Sequence, residues 1–210
     1  MIEGIEWLGH DSFRITGSKT VYIDPWKLGA GQPKADVILV THDHHDHFNK
    51  DDIAALSGPS TVVVGPPSVT GGLAGQTISV EPGDTVDANG VTVTAVPAYN
   101  TSKFREPGKV FHPKGSGVGY IFEFDGRRIY HAGDTDSIPE MAGIEVNVAL
   151  LPVSGTYVMT AGEAAEACHV IKADVVIPMH WGDIVGSRAD AERLSRICRY
   201  RVEILEPPQG

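Results

Sequence analysis

Cysteine is scarce in this chain. Cys168 and Cys198 stand alone among 210 residues and form no C-x-x-C pair. A disulfide-stapled secreted domain and a thiolate zinc ribbon are therefore both excluded. Long apolar runs are missing too: none approaches the roughly 18 residues that suggest a membrane span. The segment Met1 to Ile5 carries charge and lacks the apolar core of a secretory signal. Positive charge is in short supply, with 17 Lys and Arg against 27 Asp and Glu, a formal net charge of −10. A general nucleic-acid surface needs clustered basic residues, so that class is set aside. These absences lead to the expectation of a soluble, cytoplasmic protein with neither membrane nor nucleic acid among its partners.

The composition is that of a globular chain, 41% hydrophobic and 21% charged. Short Val-, Ile- and Thr-rich runs with turn-rich borders predict strands, from Ile5–Leu8 and Ser12–Thr16 through Asp36–Thr41 to Arg201–Leu205. Helices are predicted after Asn49 towards Leu56, after Thr160 with Glu163 closing a capping box, and over about Ala189 to Cys198. Several runs are apolar without alternation: Val37 to Val40, Val148 to Leu151, Val175 to Ile177. Such strands are buried on both faces, so helices or a second sheet must cover each side. The expected fold class is α/β, a four-layer αββα sandwich. With no linker-like tract and no repeat, residues 1–210 read as one domain.

The stretch Thr41-His-Asp-His-His-Asp-His-Phe48 carries the most chemistry. Within it His42, His44, Asp46 and His47 follow H-x-H-x-D-H, directly after a buried strand. Imidazole and carboxylate donors suit zinc and neighbouring first-row metals, and so dense a set suits two ions. On a helix His42 and His44 would point about 200° apart; on a loop leaving a strand they can share an ion. Three other strands end similarly, at Asp24, at Asp134 after a glycine, and at His180. Donors gathered at the ends of several strands are what a rigid scaffold with a loop-borne site would show.

The ordered set Asp24, His42-x-His44-x-Asp46-His47, His112, Asp134 and His180 resembles the metallo-β-lactamase superfamily over nearly the whole chain. Leu8-Gly-His10, Tyr130-His-Ala-Gly-Asp-Thr135 and Pro178-Met-His-Trp-Gly182 look like a subgroup of cytoplasmic zinc-dependent hydrolases related to the ascorbate-phosphate lactonases. The resemblance implies the αββα sandwich, a first metal on His42, His44 and a third histidine, and a second on Asp46, His47 and His180. Asp134 would bridge the two, and Asp24 would orient the first motif. His10 would lie near the site mouth, while His131 reads as structural. In the related hydrolases a histidine follows the strand that here ends Pro97-Ala-Tyr-Asn100. An amide is a poor zinc ligand, so His112, in a His-Pro-Lys-Gly-Ser element, is expected as the third ligand instead of Asn100.

The reaction this implies is hydrolysis of an ester, lactone, amide or phosphodiester, with two divalent ions activating a water and Asp46 relaying a proton. Zinc is the expected metal, with manganese, nickel or iron as alternatives. Rival readings are a metal-dependent oxidoreductase of the same fold and a metal-binding module without turnover. The expected partner is a small molecule, and a homo-oligomer stays open. Lys103, Arg105, Lys109 and Lys114 face Glu106 alone in one stretch. If that stretch borders the metals, it would favour an anionic substrate.

Overall fold

Two sheets share one core in the computed structural model, which describes residues 2–208; Met1, at the head of the N-terminal segment read above, lies outside them. The first sheet runs in chain order through β1 (Ile5–Gly9), β2 (Ser12–Thr16), β3 (Thr20–Ile23), β4 (Val37–Leu39), β5 (Val62–Gly65) and β6 (Gln76–Ser79). The strands β1 to β3 pair antiparallel, and β3 to β6 pair parallel. The second half contributes β7 (Thr85–Ala88), β8 (Val91–Ala98), a small hairpin of β9 (Phe104–Glu106) and β10 (Lys109–Val110), β11 (Gly117–Phe124), β12 (Arg127–His131), β13 (Glu145–Pro152), β14 (Lys172–Met179) and β15 (Arg201–Val202). Its sheet has the order β15-β14-β13-β12-β11-β8-β7, with β12 to β15 parallel.

The uninterrupted apolar runs do what their composition requires. In and just after β4, Val37 and Leu39 enter the core between the sheets, while Ile38 and Val40 face outward. Their outer neighbours are Ile53 and Leu56 of α1 (Lys50–Leu56) and Val69 of α2 (Pro67–Thr70). Asn49 caps α1 by accepting from the amides of Asp51 and Asp52. On the far side α3 (Ala161–Val170) and α4 (Arg188–Ile197) cover the second sheet, completing four layers. The Thr160–Glu163 capping box forms. The free thiols Cys168 and Cys198 meet between these helices, their Sγ atoms 2.9 Å apart.

Three strands of the second half, β7, β9 and β10, have no counterpart in the sequence prediction. They are short and largely exposed, so they lack the apolar signal that marks a strand. The predicted strand Arg201–Leu205 shortens to Arg201–Val202.

The parallel halves of both sheets place their carboxyl ends on one edge of the sandwich. There β11 crosses from the second sheet against the first: the Val118 amide donates to Thr41 O at 2.9 Å and Tyr120 Oη to Val40 O at 2.8 Å. Gly117 permits this approach, because a Cβ there would stand 2.9 Å from that of His42.

Candidate metal centre

Four rings at this edge, those of His42, His47, His112 and His180, are held by Nδ1. Asp24, just past β3, is fully buried with φ 44°, a left-handed conformation that turns its carboxylate back beneath the motif loop. Its oxygens accept from the Thr41 amide, the Thr41 hydroxyl and His47 Nδ1, all at 2.7 Å. Thr41 Oγ1 has thus given its proton to Asp24, so it accepts from His42 Nδ1 at 3.0 Å. Asn100 Oδ1 accepts from His112 Nδ1 at 2.9 Å, and His180 Nδ1 donates to Ser154 Oγ at 2.9 Å. Four Nε2 atoms are thereby aimed at a common space. Imidazole donors fixed in this way are the usual surroundings of a metal.

The loop between Asn100 and Gly117 folds back, so His112 joins His42 and His44 in one group of donors. His112 Nε2 lies 3.2 Å from His44 Nδ1. Two nitrogens on one tetrahedral zinc, each bonded at about 2.0–2.1 Å, stand about 3.4 Å apart. A second group combines His47 and His180 with His10 and Asp11, and a third, His42, His47 and Asp134, overlaps both. Between the groups stands Asp134, its Oδ2 3.2 Å from His112 Nε2 and 3.5 Å from His180 Nε2, its Oδ1 3.3 Å from His47 Nε2. Asp46 Oδ2 is 3.8 Å from His47 Nε2 and accepts a 3.2 Å hydrogen bond from His10 Nε2.

Seven buried side-chain atoms here have no hydrogen-bond partner among the described residues: His10 Nδ1, both Asp11 oxygens, Asp134 Oδ1, and Nε2 of His42, His47 and His180. A buried polar group without a partner costs free energy, and a buried charge costs more. So many such atoms converging on one space fit divalent cations, and the mixed imidazole–carboxylate set fits zinc and its neighbours.

The electrostatics divide the site. Burial pushes His42 well below the usual imidazole range, aided by the charge of His47. Burial likewise takes His112 down to about 4. Burial opposes charge on His47 and His180 too, but carboxylates outweigh it. Asp134 and Asp24 hold His47 well above its ordinary value, and Asp134 with Asp11 raises His180 to about 9. Asp134 stays far below the carboxylate range despite burial, because His47 and His180 face it.

Sequence reasoning missed Asp11 and Asp136. Asp11 sits in the β1–β2 turn and reads as a turn former. Asp136 accepts from the amides of Thr101 and Ser102 at 2.7 Å and from Asn100 Nδ2 at 3.2 Å, so it fixes the residue that fixes His112. Its signal lay hidden beside Asp134. His10 is fully buried within the second group. His131 lies outside all three groups; its Nδ1 accepts from the Gly133 amide and its Nε2 donates to Asp11 O at 3.0 Å.

A cavity of about 260 Å³ opens over Asp46 and Asp134, walled by Arg105, Phe111, Tyr157 and Ile184. Of the basic stretch, only Arg105 lines this cavity. Lys103 is bound to Glu163 at 2.8 Å and Lys114 to Glu140 at 2.6 Å. The acidic body thus takes up the two lysines.

A family model described as a beta-lactamase superfamily domain matches residues 4–180. A UPF0173 metal-dependent hydrolase of Thermococcus onnurineus is 34% identical, covering 96% of this chain and 94% of its own. One from Methanoculleus marisnigri is 34% identical over 98% and 95%. Among solved structures, a candidate metal-dependent hydrolase from Parabacteroides distasonis superposes with a TM-score of 0.85 at 32% identity, covering 98% of this chain and 93% of that one. Igni18, a metallo hydrolase from Ignicoccus hospitalis, gives 0.79 at 25%, covering 98% and 95%. With these matches and a His/Asp cluster able to hold metal, the chain belongs to the metallo-β-lactamase superfamily and, within it, to a family of metal-dependent hydrolases.

Proposed function

We propose that the protein hydrolyses an ester, lactone, amide or phosphodiester bond in a small anionic molecule at a two-ion centre, with zinc as the metal and manganese, nickel or iron as alternatives. His42, His44 and His112 hold one ion; His47 and His180 hold the other; Asp134 lies between them. The observation that carries this reading is the convergence of buried imidazole and carboxylate donors, several of them unpartnered among the described residues, in groups that meet at Asp134.

Ions bound there supply Lewis acidity and a water that ionises near neutral pH. The chain's own residues do the rest. Asp46 lines the cavity, and His10 holds one of its oxygens. Burial opposes its ionisation, yet the hydrogen bond from His10 and the charge of His47 keep it ionised far below the usual carboxylate range. Placed there, its carboxylate would accept a hydrogen bond from the attacking water and relay the proton to the leaving group. Arg105, its guanidinium carbon 5.8 Å from the Phe111 ring centre, receives the anionic end of the substrate. Phe111 and Tyr157, with ring centres 4.6 Å apart, form with Ile184 an apolar wall that sheds water from the bound molecule.

The test is metal reconstitution followed by a panel of anionic esters, lactones, amides and phosphodiesters. Asp46→Asn should lower kcat about 10²–10⁴-fold on the best of these, the usual range for a lost proton carrier. A wild-type protein with both positions filled and no turnover on any class would contradict the proposal and favour a binding module.

A further inference from the structure

The turn between β1 and β2 delivers a carboxylate into the second group of donors. Asp11 is fully buried, and neither of its oxygens has a hydrogen-bond partner among the described residues. Its Oδ2 stands 3.4 Å from His10 Nε2, 3.7 Å from His47 Nε2 and 3.9 Å from His180 Nε2. The separations from His47 and His180 suit atoms that share one ion, since two ligands bonded at about 2.0–2.2 Å are at most about 4.4 Å apart, while His10 Nε2 is turned to Asp46.

The turn is built to hold that position. His10 takes a left-handed φ of 52°, and its carbonyl accepts from Trp7 Nε1 at 2.8 Å and from the His180 amide at 3.0 Å. The Asp11 carbonyl accepts from His131 Nε2, and Ser12 Oγ donates to Asp24 O at 2.5 Å. Backbone on both sides of Asp11 is therefore tied to the strand ends that carry His180, Asp134 and Asp24. A left-handed non-glycine residue and a buried carboxylate without partners are both costly, and such costs collect at functional sites. Asp46 comes as near to His47, at 3.8 Å, but its Oδ2 already has a donor in His10, it lines the open cavity, and it belongs to none of the donor groups found among the described residues.

We propose that Asp11 ligates the second ion together with His47 and His180, and that Asp46 is thereby left free to carry protons. This rests on the two-ion reading above, and the experiment separates the two claims. Metal-free wild type, Asp11→Asn and Asp46→Asn are each titrated with zinc against a chromophoric chelator. Wild type should bind two ions. Asp11→Asn should hold the first unchanged and bind the second at least 100-fold more weakly; Asp46→Asn should bind both within about 10-fold of wild type, as expected for a residue next to the ligands. In parallel, Asp11→Cys and Asp46→Cys are loaded with cobalt(II), with wild type as the baseline. A thiolate-to-cobalt absorption band in the near ultraviolet is expected from Asp11→Cys alone. Two ions in Asp11→Asn at wild-type affinity, or a band from Asp46→Cys and none from Asp11→Cys, would overturn the assignment and leave the two-ion reading intact. A wild type that binds no zinc would overturn both.

Discussion

Asn100 Oδ1 accepts two hydrogen bonds from His112, one from its amide and one from ring Nδ1, both at 2.9 Å, and the Asn100 amide returns one to His112 O at 2.8 Å. The residue at the strand end thus clamps a histidine twelve positions on and fixes which ring nitrogen faces the metals. His112→Ala should abolish tight binding of the first ion. Asn100→Ala should weaken it about 10- to 100-fold, the cost of removing an orienting partner. Chelator competition measures both, and an unchanged affinity in Asn100→Ala would show that the loop holds His112 without the clamp.

Asp24 gathers three donors from the motif loop, so no neutral isostere replaces it fully. Asp24→Ala should destabilise the protein by about 3–5 kcal/mol, the range for breaking a buried ion pair and stranding its partner. Asp24→Asn should fall between that variant and wild type. Urea denaturation of the chelator-treated proteins reads this without interference from metal; a loss below about 1 kcal/mol in Asp24→Ala would show that Thr41 and His47 find other partners.

Acidity should empty the second position before the first. His180, raised to about 9 by Asp134 and Asp11 against the cost of burial, carries a proton at pH 7 in metal-free protein and must lose it to ligate. His112, lowered to about 4 by burial, has no proton to lose until far more acid conditions. Second-ion affinity should therefore drop with each pH unit below about 9, while loss of the first should begin only at lower pH. In metal-free protein the sign reverses: a raised pKa stabilises the fold fully below about 6.5, and that stability fades as pH climbs through 9. Calorimetry in buffers of different ionisation enthalpy near neutral pH should show more protons released with the second ion than with the first.

Arg105 is the one basic side chain of its stretch that lines the cavity, so it should carry the preference for charge. Arg105→Glu should raise KM at least 10-fold for an anionic substrate and less than about 2-fold for a neutral one of equal size. Reversing Lys103 or Lys114 should leave that ratio near wild type, because Glu163 and Glu140 already occupy them. Equal effects on both substrates would place Arg105 outside the recognition site.

The layers were legible because they rest on local pattern: Val37 to Val40 is apolar without a break, and such a strand needs cover on two faces. His42, His44, Asp46 and His47 were legible because their chemistry is crowded into six positions, and Asp134 and His180 because they end buried strands. Asp11 was not, since its neighbours His47 and His180 lie 36 and 169 positions away and a turn aspartate has an ordinary explanation in sequence. Lys103 and Lys114 could not be told from Arg105 for the same reason. Their carboxylate partners are distant in sequence, so a stretch that is basic on paper is mostly neutralised in space.

Metal content decides the account most directly. Elemental analysis of protein purified without added metal, repeated after reconstitution and desalting, should find close to two divalent ions per chain, and Asp134→Ala or His180→Ala should bring that to about one. No bound ion in either preparation, with no activity gained on adding zinc, manganese, nickel or iron, would contradict it.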